Sequence, residues 1–339
     1  MLLAGDLGGT NTRLGLFERR MARPAEVATH DFQTLAFPDL PSMVREFLAV
    51  SRVRAQDIEA ACFGVAGAIH EGWADLTNVP WRVGTSELQE RAGLKNVSLL
   101  NDVEALAHSL PGLTPDELAV LHPGTSSPLG NAVLITVGTG FGQAFLHRVD
   151  GRPVPMPSEG GHVDFAARTE REMALLRHLT ARFGRVDVER VVSGPGLANI
   201  AGFTHGGLCP QIPRDAEPAA IPALVSKAAV EGSCTHCQDA LDLMIGALGS
   251  AAGNAALTAV ARGGVFIGGG IPPKILPALR TSRFLDAFGA KPPMGYLLDE
   301  VPVYVILNDE AGLLGAAMNA NEMPAGSRLP DHGGFGRLP

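Results

Sequence analysis

Lysine is nearly missing from this chain. Four occur among 339 residues, Lys95, Lys227, Lys274 and Lys291, and none falls in a glycine-rich segment. No Gly-x-x-x-x-Gly-Lys-Ser/Thr string is present, which excludes a Walker-type phosphate loop. The lysine and catalytic-loop strings of protein kinases are missing too. Positive charge is short overall. The formal net charge is −8, which argues against nonspecific binding to nucleic acid or to an anionic membrane. No apolar run approaches the roughly 20 residues that cross a bilayer, and no basic region precedes an apolar stretch near residue 1. No arm suited to a DNA-binding regulator is seen there either. The expectation is a cytoplasmic protein with neither membrane nor nucleic acid as partner.

Cysteine is scarce as well: Cys62, Cys209, Cys234 and Cys237. Cys62 lies in a strand-like run, 60–65, and reads as core. Cys234-Thr235-His236-Cys237 has metal-ligand spacing, with His205 and Cys209 upstream, so a zinc site is one reading. A reduced thiol pair near a helix start is the other, and a structural disulfide is not expected in the cytoplasm.

Glycine is abundant, with 41 residues, and three clusters interrupt strand-like runs. Gly5-Asp6-Leu7-Gly8-Gly9-Thr10-Asn11 separates 1–4 from 13–17 and reads as a hairpin turn between antiparallel strands. Successive N–H groups in such a turn make a concave anion site. The Asp6 carboxylate would repel a bare phosphate, which makes sense if Mg²⁺ lies between them, bound directly or through water. Gly138-Thr139-Gly140-Phe141-Gly142 follows the apolar run 132–137 and precedes 143–146. The order strand, glycine turn, strand thus repeats about 130 residues later, which suggests two related halves that could clamp a polyphosphate. Gly268-Gly269-Gly270 follows the strand 263–267, where ligands of open α/β sheets bind and a flat adenine could lie against backbone. Each cluster also has a purely geometric reading as a turn.

Polar residues gather near other strand ends. Asn101-Asp102 follows the strand 97–100. Asn101 reads equally as a helix N-cap, with Glu104 completing a capping box, but that leaves Asp102 available to accept a proton. In Ser158-Glu159-Gly160-Gly161-His162, a carboxylate and an imidazole could bracket adjacent sugar hydroxyls; a solvated loop is the alternative. Glu189 is placed in the first turn of a helix capped by Asp187, where the dipole favours an acid anyway. Asn78 offers an amide in a turn, and Trp81 packs beside a ligand or in the core.

Further helices are expected at 41–51, 86–92, 103–110, 170–183, 188–192, 219–231, 237–261, 273–278 and 309–320. Strands are expected at 26–31, 58–66, 117–121 and 301–307. The helix 309–320 is expected to return to the first domain, and 321–339 reads as a disordered tail.

The strings 5–11, Asn101-Asp102, 138–142, Glu159-Gly160-Gly161-His162, 189–196 (Glu-Arg-Val-Val-Ser-Gly-Pro-Gly) and 268–270, in that order, closely resemble the bacterial glucokinase family of the hexokinase and actin-like ATPase superfamily. The resemblance covers about 3–318. It implies a two-domain actin-like (ribonuclease H-like) α/β fold with mixed sheets flanked by helices and a cleft between domains. The small domain would hold 1–111 plus about 303–320, and the large one 112–302. ATP with Mg²⁺ is the implied donor and the 6-hydroxyl of D-glucose the acceptor, the product feeding glycolysis, in a homodimer. Carried over by position, Asp102 resembles the general base. Asn78, Asn101, Asp102, Glu159, His162 and Glu189 resemble the sugar ligands. Gly5, Asp6, Gly8, Gly9, Thr10, Asn11, Gly138, Thr139, Gly140, Gly268, Gly269 and Gly270 resemble the nucleotide contacts, with Asp6 toward Mg²⁺. A related repressor and kinase group carries a cysteine-rich zinc motif soon after its sugar-binding histidine; no cysteine follows His162 before Cys209, so that motif is not carried over. Alternatives are a kinase for mannose or an N-acetylhexosamine, an actin-like ATPase switch without sugar, and a sugar sensor without catalysis.

Overall fold

Leu2, Leu3 and Ala4 are buried without a break, the pattern of a strand covered on both faces. They begin β1 (Leu2–Leu7), which pairs antiparallel with β2 (Asn11–Glu18); β2 in turn pairs with β3 (Ala25–Gln33). On its other side β1 runs parallel to β4 (Ala60–Val65). A small sheet of β5 (Ile69–His70), β6 (Trp73–Asp75) and β7 (Arg82–Gly84) follows, and β8 (Val97–Asn101) completes the main sheet in the order β3-β2-β1-β4-β8. The structure, a computed structural model, describes residues 1–76, 79–125, 127–206, 209–213 and 215–324. Asn78 lies outside them, as do 325–339 of the expected tail.

The chain divides into two units, one of Met1–Leu113 with Glu310–Pro339, the other of Thr114–Asp309. In the first unit α1 (Leu40–Val50) and α2 (Thr85–Ala92) cover one face of the sheet, where Trp81 is also buried. The other face receives α3 (Asp102–Ser109) and the C-terminal helix Ala311–Glu322, whose Leu313, Ala316, Ala317 and Ala320 pack on Leu2, Ala4, Ala60 and Cys62. Small residues allow that close approach. The expected tail is corrected at its start. Residues 321 and 322 are helical, Met323 is buried, and the Asn96 amide donates to the Pro324 carbonyl.

The second unit repeats the frame. β9 (Leu118–His122), β10 (Ala132–Val137), β11 (Phe141–Val149), β12 (Arg152–Ser158), β13 (Gly264–Gly268) and β14 (Val303–Ile306) form a sheet ordered β12-β11-β10-β13-β14-β9. Placement of 303–306 in the first domain is thereby corrected: the strand is sandwiched between β13 and β9. β12 was not expected, because Pro153, Pro155 and Pro157 argue against a strand. They alternate along an edge strand, where residues between them can form the ladder with β11.

Helices α4 (Glu170–Phe183), α5 (Gly194–His205), α6 (Ile221–Val230), α7 (Thr235–Ala259), α8 (Leu276–Leu279), α9 (Ser282–Gly289) and α10 (Gly295–Leu298) belong to this unit. The expected helix at 188–192 is instead a turn. The helix begins after it, with the Ser193 hydroxyl accepting from the Gly196 N–H at 2.9 Å. The expectation that no segment is long and apolar enough to span a bilayer is also corrected. α7 has 25 residues and mean hydropathy 1.3, but 67% of its apolar window is buried in the unit, so it is a core helix.

Candidate active site

In the first unit the carboxyl ends of three parallel strands lie side by side. Asp6 is in register with Gly64, and Val65 with Asn101. Gly5 lies under the Phe63 ring, which leaves its position no space for a side chain. The turn beyond β1 is closed by the Gly8 N–H donating to the Asn11 carbonyl at 3.0 Å. Thr34 braces it: its hydroxyl donates to the Gly8 carbonyl at 2.9 Å and its N–H donates to the Thr10 carbonyl at 2.9 Å. Gly8 and Gly9 are partly buried, and Thr10 and Asn11 are exposed. Nothing in the local sequence pointed to Thr34, which lies just past the end of β3.

Asp6 accepts no hydrogen bond from the described residues, and its carboxyl pKa is raised to about 6. Burial is the main cause and the negative charge of Asp102 the second, opposed by Arg13. The first turn of the helix Ala311–Glu322 abuts it: a Cβ on Gly312 would lie 2.8 Å from Asp6 Oδ2. Asn101 is the N-cap of α3 and accepts from the Val103 N–H at 2.9 Å, while its amide donates to the Gly67 carbonyl at 3.2 Å. Asp102 is exposed, with one carboxylate oxygen 2.9 Å from the same Val103 N–H.

In the second unit the sequence-predicted residues converge on the β10–β11 turn. The Glu189 carboxylate accepts from the Phe141 N–H at 2.9 Å, and a Cβ on Gly140 would lie only 2.6 Å from that same oxygen, so a side chain at 140 would displace the acid. Glu189 is therefore not in a helical first turn, as expected from its neighbours, but faces the glycine turn. Its own N–H donates to the Gly161 carbonyl at 3.0 Å, which ties it to the loop of Glu159 and His162. These two side chains stand 3.9 Å apart, and His162 Nδ1 is 3.5 Å from Asp187. Asp187 also accepts from the Arg190 N–H at 3.0 Å, so it caps the turn while facing the imidazole. Sequence reasoning gave it only the cap.

The third glycine cluster joins the same place. Thr136 of β10 is in register with Gly268 of β13, and the Ile271 N–H donates to the Val137 carbonyl at 3.2 Å. Gly269 has φ +93°, and a Cβ there would fall 2.5 Å from the Val137 carbonyl oxygen, so no other residue fits without rebuilding the turn. Thr139 and Gly270 are exposed beside it. The arrangement presents main-chain edges and a hydroxyl at the carboxyl ends of adjacent parallel strands, where α/β sheets bind ligands.

A model of the glucokinase family matches residues 3–323. A glucokinase of Nostoc sp. (strain PCC 7120 / SAG 25.82 / UTEX 2576) is 40% identical over 338 residues, covering 94% of this chain and 98% of its own length. Among solved structures, a glucokinase from an Antarctic psychrotroph superposes with a TM-score of 0.84 at 32% identity, covering 95% of this chain and 99% of its own. A ROK family glucokinase from Streptomyces griseus, solved in complex with glucose and AMPPNP, superposes with a TM-score of 0.63 at 20% identity, covering 95% and 99%. That likeness is one of fold.

Proposed function

The chain belongs to the glucokinase family of sugar kinases, with the α/β fold of the actin-like ATPases, and we propose that it transfers the γ-phosphoryl group of ATP to the 6-hydroxyl of D-glucose. The supporting observation is the exposed Asp102 at the carboxyl end of β8, close enough to Asp6 to raise its pKa. In the reaction the hydroxyl oxygen forms a bond to phosphorus, the bond from phosphorus to the β,γ-bridging oxygen breaks, and ADP leaves. The hydroxyl proton goes to Asp102 as general base.

Asn101, Glu159, His162 and Glu189 are assigned to the sugar, and Asn78 is retained from the family resemblance. The turn 8–11, Gly138, Thr139, Gly140 and the cluster 268–270 are assigned to the nucleotide. The donor set at Asp6 fits Mg²⁺: a hard carboxylate, penalised by burial and by a second negative charge, is stabilised by a divalent cation. Asp6 would hold the ion, with Asp102 nearby. When bound, the ion would supply positive charge against the phosphate oxygens. The protein's own share is to orient the hydroxyl, to accept its proton, and to line the phosphates with main-chain N–H groups. A cytoplasmic homodimer whose product enters glycolysis belongs to the same proposal and rests on the family resemblance; light scattering at twice 35.4 kDa would support the dimer.

The test is ADP release from ATP and Mg²⁺ with no sugar, then with glucose, mannose and N-acetylglucosamine. Release that depends on glucose is expected. Equal release without sugar would identify an ATPase switch, and a stronger response to another hexose would reassign the acceptor.

A further inference from the structure

The cysteines play no part in the reaction proposed above, yet three of the four converge. Cys209, Cys234, Cys237 and His205 offer one ligand atom each, and these four atoms all lie within 4.8 Å of one another. Cys209 Sγ is 3.8 Å from Cys234 Sγ and 3.6 Å from Cys237 Sγ. His205 Nε2 is 3.4 Å from Cys234 Sγ and 3.8 Å from Cys237 Sγ. A tetrahedral zinc ion with ordinary Zn–S and Zn–N bonds requires S–S edges of about 3.8 Å and S–N edges of about 3.6 Å. A disulfide requires about 2.05 Å, and three thiols cannot all be paired within one cluster.

The surroundings select the same ligand atoms. His205 Nδ1 lies 2.8 Å from the Ala201 carbonyl. A carbonyl only accepts, so Nδ1 carries the proton and Nε2 turns its lone pair toward the sulfurs, as second-sphere partners of metal-bound histidines do. Cys234 is the N-cap residue of α7 and Cys237 lies in its first turn, so one helix start fixes both sulfurs. The Thr204 hydroxyl donates to the His236 carbonyl at 2.9 Å and holds the end of α5 against that start.

We propose that His205, Cys209, Cys234 and Cys237 bind one structural zinc ion. Four protein ligands fill the tetrahedron, leaving no open position for substrate, which marks a structural rather than a catalytic site. The ion clips the C-terminus of α5 and the segment at Cys209 to the N-terminus of α7, so it closes the excursion that contains α6. Four side chains drawn from two helix ends and a connecting segment explain why one Cys-x-x-Cys pair alone is a weak sequence signal.

The experiment uses the tag-free wild-type chain, purified under reducing conditions with zinc supplied and then dialysed. Elemental analysis is expected to give one zinc per chain. Exchange for Co²⁺ is expected to give the intense visible bands of a tetrahedral, thiolate-rich site. The Cys234→Ser, Cys237→Ser double variant is expected to retain at least about tenfold less zinc, and His205→Cys to retain it, since four thiolates also suit the ion. A chelator should lower the melting temperature of the wild type. Wild-type protein holding less than about a tenth of an equivalent, with no tetrahedral cobalt spectrum, would overturn the proposal even if every variant failed to fold. So would a disulfide among these cysteines in the freshly reduced protein. None of these readouts depends on which sugar is phosphorylated.

Discussion

The two glycine hairpins are built to one plan, but the first turns through 8–11 and the second through the shorter 138–140, and they handle negative charge differently. In each, a buried strand pairs antiparallel with the strand beyond its turn and parallel with a later one. Asp6 faces Gly64 across the parallel pair β1–β4, and Thr136 faces Gly268 across β10–β13. The equivalent position is an acid in the first unit and a neutral hydroxyl in the second. The second unit has its acid too, but Glu189 arrives from a separate loop and is met by the Phe141 N–H. Asp6 accepts no hydrogen bond among the described residues, and burial makes its charge costly. A buried acid whose charge Arg13 only partly offsets in one copy of a repeated frame, and a hydrogen-bonded one in the other, is the difference on which the proposed cation site at Asp6 rests.

The largest break in this comparison is expected at Asp102. Asp102→Asn keeps the shape and removes the proton acceptor, so kcat should fall by about 10²–10⁴. Glucose binding measured by calorimetry should stay within a few-fold of wild type. A variant within tenfold of wild-type turnover would remove Asp102 as the base. Asp6→Asn comes next and acts in two directions. Activity with Mg²⁺ should drop sharply, while the ligand-free protein should become more stable at neutral pH by up to about 3 kcal/mol, since a rise of roughly two pKa units is relieved. Denaturant melts at pH 7.5 without divalent cation check this. An unchanged midpoint would mean that the charge on Asp6 costs nothing.

In the second unit effects should fall on binding. Glu159→Ala should raise KM for glucose with little change in kcat; an unchanged KM would remove Glu159 from the sugar site. Glu189→Ala also leaves the Phe141 N–H without its partner, at about 1–3 kcal/mol. Glu189→Gln keeps an acceptor oxygen there, so a milder defect in the glutamine variant would assign Glu189 to holding the turn. Equal defects would assign it to its charge.

Much of this plan was legible in the sequence because the strands that carry it are continuous apolar runs broken by glycine. The run 132–137 is legible from its apolar residues, whereas the first strand reads as ending at residue 4 and in fact runs on to Leu7, because Gly5 and Asp6, which pair with Leu14 and Arg13 inside the sheet, look like turn residues. The Glu159–His162 pair was legible because both residues share one short loop. What escaped came from distant segments or broke a local rule. β12 was hidden by three prolines that an edge strand tolerates. α5 was hidden because Gly194, Pro195 and Gly196 are poor helix formers, though Ser193 and Pro195 are a good start signal. Thr34 and Asp187 act through tertiary contacts that no spacing reveals. The return of 311–322 to the first unit was anticipated by the repeat, whereas the preceding strand stayed with the second sheet.

The smallest expected effect is a pH dependence that nearly disappears in the wild type. His108, on α3, has its pKa lowered by burial to about 4, and its Nε2 is 3.3 Å from the Asn319 amide of the C-terminal helix. An imidazole accepting from an amide is neutral. Its folded pKa lies below the unfolded 6.5, so its contribution is present above pH 6.5 and is lost as pH falls toward 4. Asp6 has the opposite sign. Its folded pKa lies above the unfolded 3.8, so its contribution is present below pH 3.8 and is lost as pH rises through about 6. The two groups titrate in overlapping windows with slopes of opposite sign, each at most about 1.4 kcal/mol per pH unit, and so largely cancel. Replacing one should unmask the other. Relative to wild type, His108→Gln should lose stability more steeply as pH rises from 4 to 6, and Asp6→Asn should gain it. Difference curves of unfolding free energy against pH, taken without nucleotide or divalent cation, test this directly, because all other titrating groups subtract out. Difference curves of the same sign would break the pairing, and flat ones would show that neither group is desolvated in solution.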